Sequence, residues 1–112
     1  MSITDTNKID IVATRPDSSI VKLVITDHLD WRDFDTHAQL LQDKINTYLQ
    51  FVESGQLASM EDPKVPESPE ICISLAMQHR PSKEAERFLL QVRTFLQGVG
   101  LALEIDYRPP GN

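Results

Sequence analysis

The sequence predicts an α/β chain of the two-layer α+β sandwich kind, with a four-stranded mixed sheet and two helices on one face. Four short runs alternate apolar residues with others, and two longer stretches step their apolar residues by three and four. These patterns follow one another as strand, strand, helix, strand, helix, strand, or ββαβαβ. Each strand–helix–strand pass is expected to cross over with the right hand, which brings both helices to the same side of the sheet. A chain of 112 residues holds one core, so residues 1–112 are read as a single domain.

The first eight residues carry no apolar pattern and are expected to form a flexible N-terminus. Residues 9–14 and 20–26, rich in Ile, Val and Thr, read as a hairpin around Arg15-Pro16-Asp17-Ser18-Ser19, where Pro and Asp favour a turn. In this reading Ile9, Ile11 and Ala13 share the core face of the first strand, and Val21, Leu23 and Ile25 that of the second. Asp10, Lys22 and Thr26 lie opposite. A helix of roughly six turns then carries Trp31, Phe34, Ala38, Leu41, Ile45, Tyr48, Leu49 and Val52 on one stripe. Asp27 or Asp30 can cap it, Asp33 and Asp35 suit the positive end of its dipole, and Gly55 can take the left-handed stop.

Residues 56–70 form a Pro-rich acidic loop, with Pro63, Pro66 and Pro69 among Glu61, Asp62, Glu67 and Glu70; helix and central strand are both blocked there. Ile71, Ile73, Leu75 and Met77 alternate with Cys72, Ser74, Ala76 and Gln78 as a third strand. After Pro81, Ser82 is placed to cap a second helix that carries Ala85, Phe88, Leu89, Val92, Phe95 and Leu96 and stops at Gly98. Leu101, Leu103 and Ile105 mark the last strand, and 108–112 is a tail. The second face of the sheet would then carry Val12, Lys22, Val24, Cys72, Ser74, Ala76, Ala102 and Glu104. That set is too small-sided for a second core and less polar than a solvated face, so a second copy of the chain is the expected cover.

Seventeen acidic against eleven basic residues leave a net charge of −6, which repels phosphate backbones and anionic lipid. The basic residues are scattered without aromatic interleaving, so no nucleic-acid partner is expected. No window has the roughly 20 apolar residues of a membrane span, and the single cysteine, Cys72, fits a reducing, cytoplasmic setting. Composition calls for no metal or disulfide staple and no cofactor.

Two clusters could carry chemistry. Asp27 to His37 holds the densest set of acid–base and metal-competent side chains, and His28, Asp30, Asp33 and His37 form the candidate metal set, with Asp33 and His37 four residues apart on one helical face. Acidic residues also crowd helix starts for dipole reasons, and under that reading His28 and His37 are ordinary surface residues. The second cluster, Arg80, Ser82 and Lys83, sits where a strand gives way to a helix and is the candidate anion site, although no Gly-rich loop wraps it. Cys72, mid-strand with no adjacent base, reads as structural rather than nucleophilic.

Asn7-Lys8-Ile9-Asp10, Lys44-Ile45-Asn46-Thr47-Tyr48-Leu49 and Glu53-Ser54-Gly55-Gln56 resemble a family of small bacterial proteins of unknown function. The resemblance spans most of the chain, implies bacterial origin and brings no activity or site residues with it. The function expected from the whole reading is a non-enzymatic protein–protein interaction module or homodimer. A metal-binding protein or small enzyme at Asp27–His37 and an anion sensor at Arg80–Lys83 are the alternatives.

Overall fold

A computed structural model describes residues 3–15, 17–61, 65–66 and 69–108. Strands β1 (Ile11–Thr14), β2 (Ile20–Asp27), β3 (Glu70–Met77) and β4 (Ala102–Tyr107) lie side by side in chain order, with α1 (Phe34–Glu53) and α2 (Lys83–Gly98) between the last three. β1 runs antiparallel to β2, and β2, β3 and β4 run parallel, so the sheet is mixed. This is the ββαβαβ two-layer architecture the sequence predicts. Among the described residues no helix is long and apolar enough to cross a membrane.

Both helices cover one face. Val21, Leu23 and Ile25 of β2, Ile73, Leu75 and Met77 of β3 and Leu103 of β4 are buried beneath Leu41, Ile45, Tyr48 and Leu49 of α1 and Ala85, Leu89 and Leu96 of α2. The helices meet edge to face at Phe34 and Phe88, whose ring centroids are 5.9 Å apart. At each helix start a side-chain oxygen takes up a backbone N–H: Asp33 accepts from Thr36 in α1, and Ser82 from Ala85 in α2. The cap of α1 is therefore Asp33, not Asp27 or Asp30, because those two aspartates form short turns of their own onto Leu29 and Arg32. Gly55 (φ 85°) turns the chain out of α1 as expected. The left-handed residue after α2 is Gly100 (φ 84°), and Gly98 closes the helix itself.

Pairing in the hairpin reverses the expected faces of β1. Val12 stands opposite Leu23 and packs against the core, whereas Ile11 and Ala13 stand opposite Val24 and Lys22 on the open face. The reason is polar: Asp10, two residues before Val12 and on the same face, is drawn inward to Lys44 and Tyr48 (2.8 and 2.9 Å). A one-residue change of register moves every side chain to the other face, so one buried carboxylate sets the strand.

The same polar group anchors the segment expected to be flexible. Lys44 Nζ donates to the carbonyls of Asp5 (2.7 Å) and Lys8 (2.8 Å), Thr47 Oγ1 donates to the carbonyl of Thr6, and Ile3 is fully buried with its N–H on Thr26 O. Residues 3–8 are thus packed against α1 and β2. In the Pro-rich loop Leu57 and Val65 are buried in the core, while 62–64 and 67–68 lie outside the described residues. Arg108 continues the β3–β4 ladder through its N–H to Met77 O, and 109–112, the rest of the expected tail, lie outside the described residues as well.

Candidate functional site

The parallel strands end level with one another, Asp27 beside Met77 and Met77 beside Tyr107. From that end β2 leads through residues 28–33 into α1, and β3 leads through 78–82 into α2. Both sequence clusters therefore sit at one end of the sheet. A shallow depression of about 270 Å³ is lined by His28, Leu29, Asp30, Asp33, Thr36, His37 and His79, and so gathers all three histidines of the chain. His79, from the segment that leads from β3 into α2, joins the first cluster.

Within this depression His37 is not a surface residue. It is 1% exposed, its ring is stacked on Trp31 at 3.6 Å, and both ring nitrogens are engaged. Nδ1 lies 2.8 Å from the carbonyl of Asp30, and Nε2 lies 2.6 Å from Oδ2 of the equally buried Asp27. A carbonyl only accepts, so Nδ1 donates to it, and Nε2 is taken up by the hydrogen bond with the Asp27 carboxyl. No ring lone pair faces solvent. As arranged, the pair links the end of β2 to the first turn of α1 as a brace. Asp27 completes the brace, with Oδ1 accepting from Leu29 N and its carbonyl from Gln78 N. Trp31 Nε1 is buried without a hydrogen-bond partner among the described residues.

Asp33 and Asp30 are committed locally. Two hydrogen bonds from Thr36, through its hydroxyl and its backbone N–H, hold the Asp33 carboxyl below the usual carboxylate range. Asp30 accepts from Arg32 N and pairs loosely with its guanidinium at 3.6 Å. His28 is exposed. Among the described residues no three His, Cys, Asp or Glu side chains stand placed to hold one metal ion.

Of the anion candidates, Ser82 Oγ is turned onto its own helix, accepting from Ala85 N at 3.1 Å. The Arg80 guanidinium lies over the Tyr107 ring, 4.3 Å from its centroid, and Lys83 is exposed at the first turn of α2. The three β-strands that run parallel are laid down in one direction, β2 to β3 to β4, so their ends lack the crevice that forms where strand order reverses.

Sequence reasoning missed two polar groups. Lys44, buried together with Asp10, lies inside the apolar stripe three residues after Leu41 and four before Tyr48; that position was the available signal. Tyr48 OH donates to Val24 O (2.7 Å), accepts from Asp10 N, and is pushed well above the usual phenol range by its burial. The second group spans the open face. Glu104 of β4 accepts from Ser74 of β3 (2.9 Å) and pairs with Lys22 of β2 (3.1 Å), and these contacts hold its carboxyl below the usual range. Neighbouring Cys72 is moved the other way, its thiol pushed up by burial and by the Glu104 charge, which disfavours the nucleophilic thiolate.

No curated protein and no solved structure matches the chain. A family model does, over residues 1–109, and by that match the chain belongs to DUF6572, a family of unknown function.

Proposed function

We propose that the chain is a non-enzymatic protein–protein interaction module that works as a homodimer. The observation that supports this reading is the one-sided sheet. Its second face carries short side chains, Ala13, Ala76 and Ala102, around a polar centre of Lys22, Ser74 and Glu104. Large apolar side chains are exposed at both margins of the sheet: Ile11 and Ile20 on the open face beside the hairpin, and Ile105, Tyr107 and Leu90 of α2 on the helix-covered side at β4. A sheet covered by helices on one side only, with large apolar side chains exposed at its margins, leaves surface that a second polypeptide can cover. Both ring nitrogens of His37 are engaged and the Cys72 thiol is pushed up by burial, which is in keeping with a non-enzymatic reading. Light scattering after size exclusion, with native mass spectrometry, on protein purified without a metal-affinity tag should give a metal-free dimer mass. A monomer at tens of micromolar would overturn the reading.

One observation favours a second reading, a transition-metal protein: the three histidines gather at one depression with Asp30 and Asp33. Turning His28 and His79 inward would offer two imidazoles beside a carboxylate. Calorimetry with zinc, manganese and nickel should then give micromolar binding that disappears in His28→Ala. No heat with any of the three metals would retire it.

A further inference from the structure

Resting on the dimer reading, we infer that the partner is a second copy joined at the outer edge of β4, so that two sheets become one of eight strands. The backbone shows which groups are available. Arg108 N–H points to Met77 O, and backbone direction alternates along a strand, so Ala102, Glu104 and Asp106 face β3 while Leu103, Ile105 and Tyr107 face outward. Arg93 confirms this by reaching Leu103 O from α2 at 3.5 Å. Ile105 and Tyr107 place their side chains on the helix-covered face, in register with buried Leu75 and Met77, yet are 36% and 39% exposed. Above them Leu90 is 58% exposed, and a groove of about 260 Å³ runs between Pro81, Glu86, Leu90, Arg93 and Ile105.

This margin is complementary to itself. A two-fold axis at Ile105 pairs that residue with its own copy and Leu103 with Tyr107 of the second copy, the hydrogen-bonded arrangement of an antiparallel ladder. On α2, Glu86 and Arg93 flank Leu90 on the side that faces the groove. The same axis passes Leu90 and sets Glu86 of each copy against Arg93 of the other. The two placements are of similar scale: three to four helical residues rise about 4.5 to 6 Å, and two strand residues about 6.6 Å. A rotation chosen for the strands therefore also matches the helix charges and covers Leu90, Ile105 and Pro81. The opposing terms are Arg93, which must leave Leu103 O to reach Glu86 of the second copy, and Glu104, which would stand across from Asp106 of the second copy. Each carboxylate is already countered within its own chain, by Lys22 and by Arg108.

The test is a charge exchange combined with a symmetric cross-link. Glu86→Arg and Arg93→Glu should each weaken the dimer by about tenfold or more in Kd, as like charges come to face each other, and the two together should restore it to within about threefold. Thermal melts of the four proteins, run alongside, check that each variant folds. In a Cys72→Ser background, Ile105→Cys should oxidise to a covalent dimer, since facing residues of a hydrogen-bonded antiparallel pair lie about 5.5 Å apart at Cα; Ile11→Cys at the opposite margin should not. A dimer that ignores both charge variants and fails to cross-link at position 105 would overturn this seam and leave the interaction reading standing. A wild-type monomer would remove both.

Discussion

Two lysine–carboxylate pairs of similar geometry sit on opposite faces of this sheet. Lys44 and Asp10 meet at 2.8 Å with side chains 0% and 1% exposed, beneath α1; Lys22 and Glu104 meet at 3.1 Å with side chains 44% and 43% exposed, on the open face. Burial changes what the contact means. An exposed pair keeps most of its hydration and contributes little, whereas a buried one has lost its water and must have every donor and acceptor satisfied. Lys44 meets that demand, with its three N–H donors going to Asp5 O, Lys8 O and Asp10 Oδ1. The covered face thus spends its polar groups on defining the fold, and the open face keeps polar groups that another surface can still reach.

The largest effect expected from this contrast is at Lys44. Lys44→Met keeps volume but strands the Asp10 carboxylate in the core and releases two carbonyls of residues 3–8, for an expected loss of about 3 to 5 kcal/mol in denaturant unfolding. The double variant Lys44→Met, Asp10→Leu should cost clearly less than the sum of the singles, because the stranded charge is gone. A loss below about 1 kcal/mol in the single variant would place this pair with the exposed one and erase the distinction.

The brace at the end of β2 ranks next. His37→Leu leaves Asp27 buried opposite an apolar group and unstacks Trp31, with an expected cost of about 2 to 3 kcal/mol. Hydrogen exchange should show the first turn of α1 opening ahead of the rest. A variant as stable as the parent would mean that the Asp27–His37 contact is not structural, and attention would return to chemistry at the histidine depression. Tyr48→Phe should be milder, about 1 to 2 kcal/mol, because it removes one hydroxyl and leaves Asp10 N and Val24 O to find other partners.

These same polar groups separate what could be read in the sequence from what could not. Periodicity exposed the order of elements, since Leu41, Ile45, Tyr48 and Leu49 must face one way in a helix and Ile73, Leu75 and Met77 one way in a strand. It failed for β1, whose alternation admits two faces; the choice rests on Asp10 meeting Lys44 and Tyr48, more than thirty residues distant. The anchoring of residues 3–8 was hidden for the same reason, as its partners Lys44 and Thr47 lie on α1. At the candidate site local spacing identified the residues from His28 to His37. It could not show that His37 turns inward to Asp27, or that the parallel pairing of β2 with β3 brings His79 alongside. Non-local pairing is what a single sequence does not display.

The smallest effect tests the open face directly. Hydrogen bonds from Ser74 and Lys22 hold the Glu104 carboxyl below its ordinary value of 4.5, so the fold favours the ionised form. For a carboxylate lowered in this way, the stabilisation is fully present above that ordinary value and is lost as pH falls through the lower folded one. Glu104→Gln should therefore cost less than about 1 kcal/mol at neutral pH, discounted because the group is half exposed and screened by salt. The gap between parent and variant should close as pH drops from neutral into the acid range below 4.5. A gap that stays constant with pH would mean that the contribution is steric rather than ionic. A gap of several kcal/mol would mean that Lys22, Ser74 and Glu104 are shielded from water in solution, as a polypeptide seated on the open face would shield them.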